Sequence, residues 1–297
     1  MRYRPFGASG KAVSAVSLLL RETSAAPTAQ AWRGLLFGAM ECGINSFEMV
    51  AGSDILARGM NEAMRAVERG LLFLSWRYYG DVHRPLGADE LAQSIRDGLG
   101  QSAAGYFDLL MLDEAAFQTL TPEAESLLAD MKSAGLVLQI GVFGDGPVAD
   151  ACVATQRVDV LSSPFNLVSD GRTRRRVKDA AEANMAVVAY DAIPADLCRT
   201  PQQQQKTAGL LRRASEPLAG IGTYAFLHDT RGWSADELCL GYALTEPSFA
   251  SIQIDSLSTN VIERLAAVTE RDLPTGVVAQ IEMARFGRTE GTERRRA

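Results

Sequence analysis

Four carboxylates, Glu48, Asp113, Asp191 and Asp255, each close a short apolar run, and Arg77 closes another. Carboxylates held close together raise one another's pKa, and an arginine among them keeps one ionised. Such a set moves protons as a general acid and base, or binds a cationic or divalent ligand. The alternative is a set of solvated acids around a structural Arg–Glu pair. The residues after Arg77 add Tyr78, Tyr79, Asp81 and His83, and His83 is one of two histidines, His228 being the other. A tyrosine or histidine reaching into a shared mouth would add a proton donor, although an ordinary surface loop is the plainer expectation. No metal site is expected: Cys42, Cys152, Cys198 and Cys239 are scattered with no CxxC spacing.

These residues share a mouth only if the chain builds parallel strands that end side by side. Short apolar runs alternate with amphipathic stretches, the pattern of βα units. The opening residues 1–20 read as a hairpin followed by a first strand ending near Leu20. A helix spans Thr28 to Cys42, and Gly43 stops it. Seven further strands are predicted at Ile44–Phe47, Leu71–Trp76, Phe107–Leu112, Leu136–Val142, Val158–Ser162, Ala186–Tyr190 and Phe249–Ile254. One intervening helix begins near Ala88. Another opens at Thr121-Pro122-Glu123, a cap residue followed by proline at the first helical position. Eight strands in eight βα units predict a closed (β/α)8 barrel of the TIM type with an N-terminal β-hairpin. Its active site belongs on the loops at the C-terminal strand ends.

Residues 1–284 form one domain in this reading, and 285–297 a polar, Arg-rich tail. The stretch Ala195 to Leu218, with four glutamines at 202–205, reads as a long loop carrying a helical turn. The 297 residues are 47% hydrophobic, enough for one well-buried core, and the net charge of −6 argues against a general affinity for nucleic acid or anionic membranes. No apolar run reaches the ~20 residues a bilayer requires, and 1–11 lacks the apolar core of an export signal. A cytoplasmic protein with reduced thiols is expected. Composition does not fix its oligomeric state.

Read in order, the segments resemble the aldo-keto reductase family across almost the whole chain. CGINSFE (42–48) resembles the family's A-G-I-N-x-F-D, and YFDLLMLD (106–113) resembles Y-I-D-L-x-x-x-H. AGLVLQIGV (134–142) resembles G-K-V-R-x-I-G-V, FNLV (165–168) resembles Y-N-L-L, and VVAYDAI (187–193) resembles V-I-A-Y-S-P-L. The resemblance implies carbonyl reduction by a nicotinamide hydride with an Asp, Tyr, Lys and His tetrad. Here Glu48 takes the Asp position, Arg77 the Lys position and Asp113 the His position, and the Tyr falls in Val50–Ser53, where no phenol occurs. Arginine hardly deprotonates and offers a planar fork where lysine offers a point charge. A carboxylate at Asp113 would repel the oxyanion that histidine stabilises.

The positions implied for the cofactor differ as well. Leu19-Leu20 replaces Gly-Thr, Phe143-Gly144 replaces Ser-Asn, and Ser162 or Ser163 replaces Gln. Asp255 faces the expected pyrophosphate with no neighbouring Lys or Arg to offset it, and Arg264 falls at the adenine-reading Asn. Asp255, Arg264 and Asn166 are therefore the family's cofactor positions, and no nicotinamide cofactor is expected. Leu20, Trp76, Tyr78, His83, Asn166 and Asp191 are expected to bind a small-molecule substrate, with Trp76 narrowing the pocket. Arg172, Arg174, Arg175 and Arg176 read as a solvated helix face, with a phosphate or carboxylate site as the alternative. Three functions stay open. One is a small-molecule isomerase, dehydratase or lyase using carboxylate acid/base chemistry without nicotinamide. The others are a divergent NAD(P)H-dependent oxidoreductase and a non-catalytic binding or regulatory barrel.

Overall fold

The computed structural model describes residues 1–25, 28–199 and 224–293, with side chains to residue 285. A hairpin of β1 (Tyr3–Phe6) and β2 (Lys11–Ser14) precedes eight barrel strands. These are β3 (Val16–Leu20), β4 (Ser46–Val50), β5 (Phe73–Tyr78), β6 (Leu109–Asp113), β7 (Ile140–Phe143), β8 (Val160–Pro164), β9 (Ala186–Tyr190) and β10 (Ser251–Ile254). They pair in parallel and close on themselves, β10 lying between β9 and β3. The expected (β/α)8 barrel with its hairpin is therefore what the chain forms.

Strand pleating divides the core into two layers. Val16, Leu18 and Leu20 of β3 join Phe47 and Met49 of β4 against the surrounding helices. Inside the barrel, Phe73, Leu109, Met111, Val160 and Val188 pack on Phe6 and Val13, so the hairpin plugs the N-terminal end. Each large side chain taken wholly from water contributes about 1.5–3 kcal/mol. In-register neighbours share a face. Leu19, Glu48 and Ser75 therefore form one row, and Val50, Arg77 and Met111 form the next.

Most barrel strands begin two to four residues later than their apolar runs suggest, and several reach further towards the mouth. Ile44, Leu72, Phe107 and Val137 are buried, but they pack at the N-terminal end, ahead of the ladder. Helix boundaries follow their caps closely. Thr28 Oγ1 accepts from Ala31 N–H at the start of α1 (Ala29–Glu41), and Thr121 Oγ1 accepts from Ala124 N–H at the start of the helix Pro122–Ser133. The polar tail expected from residue 285 is instead the end of a helix, Val277–Glu293. Val277, Ile281 and Ala284 bury one stripe of it, which anchors a sequence rich in helix formers. Residues 294–297, like most of the glutamine-containing loop, lie outside the described residues; Ala195–Cys198 forms the predicted helical turn. Among the described residues no helix is long and apolar enough to cross a membrane.

Candidate active site

A cavity of about 420 Å³ opens at the C-terminal strand ends. Its floor is Arg77, which β5 carries to the barrel axis and which is only 2% exposed. Arg77 Nε forms an ion pair with Glu48 on the adjacent strand. Its Nη2 donates to Gln253 Oε1 at 3.1 Å and its Nη1 to the Tyr79 hydroxyl at 3.3 Å. The Phe143 ring lies over the guanidinium, 3.9 Å from carbon to centroid. Burial alone would lower the Arg77 pKa, but Glu48 and Tyr79 more than offset this and raise it. Arg77 is a permanently charged, fully engaged pillar rather than a free anion clamp.

Three aromatic rings rise above it. Tyr79 meets Phe143 edge-on at 6.1 Å, and Tyr190 tilts against Phe143 at 4.5 Å. Burial, with Asp145 and Asp191 nearby, holds the Tyr190 phenol well above its ordinary pKa. Asp191 follows directly, with φ +53° in the left-handed region, where Asp and Asn are tolerated better than most residues. Asn166 Nδ2 donates to the Asp191 carbonyl and steadies that turn. Burial raises the Asp191 carboxyl above its ordinary value; Arg77 pulls it back and Asp255 pushes it up.

The expected acidic mouth is only partly assembled. Asp191 and Asp255 line the cavity, and Glu48 lies beneath it against Arg77. Asp113 Oδ1 accepts from Gly80 N–H at 2.9 Å and Ala116 N–H at 2.8 Å, so it caps the helix Glu114–Thr119. That carboxylate holds backbone rather than ligand. Asp255 does have a cation, contrary to expectation: Arg21, just past β3, pairs with it at 2.5 Å. Barrel closure makes β3 the neighbour of β10 and brings together residues more than 230 positions apart.

Strand parity corrects the proposed substrate-binding residues. Leu20 points into the helix layer, and its neighbour Leu19 lines the cavity instead. Trp76 also faces outward, stacked on Phe107 at 5.3 Å beside Gly98, with Nε1 donating to Ser94 Oγ. It neither floors nor narrows the pocket. Tyr78 turns outward to donate to Glu90 at 2.5 Å, and His83 is exposed on its loop. Asn166 acts on the Asp191 backbone and does not line the cavity. Arg264 is held by Asp236 at 2.6 Å and does not itself line the cavity. The arginine cluster is a solvated face only in part: Arg172 and Arg175 are exposed, Arg172 pairing with Asp150, whereas Arg176 is buried on the same carboxylate and Arg174 bonds the Tyr242 hydroxyl.

Sequence reasoning left Tyr190, Gln253 and Arg21 without the roles their positions give them, and weighed Tyr79 as a proton donor only within a loop and Phe143 only as a replaced cofactor contact. Tyr79 has a signal, since it keeps the inward parity of Arg77 two residues on. Gly80, next in the chain, permits the close approach of the strand end to the helix behind it. A Cβ there would lie 2.3 Å from Ala116 N.

The aldo/keto reductase family model matches residues 39–285, and the chain belongs to that family. No curated protein matches the chain. The family usually takes a nicotinamide dinucleotide, but the residues at the mouth do not fit one. Arg21 at the expected phosphate end is already neutralised by Asp255. Asp191 presents a further carboxylate to the cavity, and Phe143, at the position where the resemblance implies a small polar residue, lines it with an aromatic ring. Among the described residues that line the cavity, an incoming pyrophosphate would meet no cation outside an ion pair.

Proposed function

We propose that this barrel is a small-molecule enzyme of isomerase, dehydratase or lyase type, working by proton transfer at the mouth without a nicotinamide. Tyr79 is the proton donor and Asp191 the carboxylate that accepts or shares a proton with the ligand. The observation that carries this reading is the hydrogen bond from Arg77 to the Tyr79 oxygen. The phenol oxygen accepts from Arg77, which leaves the hydroxyl's own proton free to donate to a ligand in the cavity that Tyr79 lines. Arg77 also places fixed positive charge beside any phenolate formed during transfer, and Glu48 keeps Arg77 in position. The raised pKa of Asp191 brings its carboxyl closer to the range in which it exchanges protons at working pH.

The experiment is solvent-deuterium incorporation into a panel of small hydroxy, keto and amino compounds, followed by NMR. The expected result is enzyme-dependent exchange that Tyr79→Phe abolishes while leaving the fold intact. Exchange that survives in Tyr79→Phe, or no exchange with any compound, would remove the basis for this reading. A divergent NAD(P)H-dependent reductase is favoured by one observation: a tyrosine hydroxyl beside a cation that is backed by a carboxylate. Micromolar NADPH binding selects that alternative, and a liganded barrel with no turnover selects a binding role.

A further inference from the structure

The charges around the cavity do not balance, and the imbalance points to what the mouth receives. Five charged side chains line it: Arg21, Arg77, Asp191, Asp236 and Asp255. Arg21 is paired with Asp255, Arg77 with Glu48, and Asp236 with Arg264. Among the described residues, Asp191 alone of the five has no ion-pair partner. An anionic ligand would meet three carboxylates and two guanidiniums already in use. A cationic ligand would meet one unpaired carboxylate next to the ring of Tyr190, with Phe143 and Tyr79 beyond it.

From this arrangement we infer that the mouth binds a small organic amine, its ammonium group on the Asp191 carboxylate and its apolar body against the rings of Tyr190, Phe143 and Tyr79. The inference deepens the proposed enzyme by naming the class of its substrate, and it rests on the same cavity. Aromatic faces attract cations, and the attraction strengthens where water is thin. The cavity volume, about 420 Å³, is suited to a compact molecule. The Asp191 carboxylate is open to the mouth, and an ammonium supplies the ion-pair partner that it lacks. The net charge of −6 on the whole chain adds a long-range preference of the same sign.

Isothermal titration of the full chain with phenethylamine, 2-phenylethanol and 3-phenylpropanoate tests the inference, since the three probes share a ring and differ in the charge of the head group. The amine is expected to bind at least about tenfold more tightly than the alcohol, with no measurable binding of the carboxylate. Asp191→Asn should remove that preference without harm to the fold, because asparagine also tolerates the left-handed backbone here. Asp191→Glu, which keeps the charge, should retain part of it. Equal or tighter binding of the carboxylate, failure of the amine to bind, or unchanged amine affinity in Asp191→Asn would each overturn the inference. Tyr79→Phe separates this idea from the enzymatic one. Amine binding that persists in that variant with no proton exchange in the wild type retains the ligand class and removes the catalysis. Exchange confined to anionic compounds does the reverse.

Discussion

Arg77 donates to the hydroxyl of Tyr79, two residues further along the same strand and loop, while its other end is paired with Glu48 on the neighbouring strand. One guanidinium therefore links a buried carboxylate beneath the cavity to a phenol at its wall. Gln253 and the Phe143 ring occupy its remaining edge and face. Arg77 is thus engaged on several sides, and its contact with Tyr79 places the phenol at the cavity wall.

Arg77→Ala should destabilise the protein by about 3–5 kcal/mol, because it leaves Glu48 buried without its counter-ion. Chemical denaturation followed by tryptophan fluorescence measures this. The double variant Arg77→Met with Glu48→Gln should cost clearly less than the sum of the two single changes, since no uncompensated charge remains. Additive costs would mean that the pair carries no coupling.

Gly80→Ala should cost on the order of 1–3 kcal/mol, because the new methyl meets backbone atoms of Ala116 rather than a flexible side-chain end. It should also weaken proton exchange beyond what the stability loss explains, by shifting Tyr79. Exchange rates measured well below the melting transition separate the two effects.

NADPH is expected to bind more weakly than about 1 mM. Nicotinamide fluorescence on titration provides the measurement. Asp255→Ser should strengthen binding by freeing Arg21, whereas a variant with no effect would place the obstacle at Phe143 instead.

Acid should unfold the protein through a small set of carboxylates. Asp150 resists the upward push of burial because Arg176 and Arg172 hydrogen-bond it, and its pKa lies below its ordinary value. Asp170 is lowered by the Thr173 N–H it caps, and Asp236, despite burial, by Arg264 and Ser234. A depressed folded-state pKa gives stability that is present above the unfolded value, near ~3.9, and is lost as pH falls through the folded value. Asp191 has the opposite sign: its contribution is present below the unfolded value and is lost as pH rises through its raised folded one. The melting temperature should therefore drop steeply below about pH 4, and Asp150→Asn should flatten that fall.

The sequence by itself determined the barrel. Its apolar runs, its caps at Thr28 and Thr121 and its order of βα units are local features, and local hydrogen bonding and burial act on them directly. It also determined that Glu48 and Arg77 would stand at adjacent strand ends, because consecutive parallel strands are neighbours. Parity was legible in principle but depends on where a strand stops. With β5 extended to Tyr78, Arg77 and Tyr79 face the axis while Trp76 and Tyr78 face the helices, which a strand ending at Trp76 does not imply. What the tertiary structure alone decided is which charges meet. Arg21 neutralises Asp255 only because the last strand closes on the first, and Asp113 is withdrawn from the mouth by the backbone N–H groups of Gly80 and Ala116. Hydrogen bonds act over about 3 Å and ion pairs are strong only at close approach, so the pairing of these groups depends on their separation in space rather than along the chain.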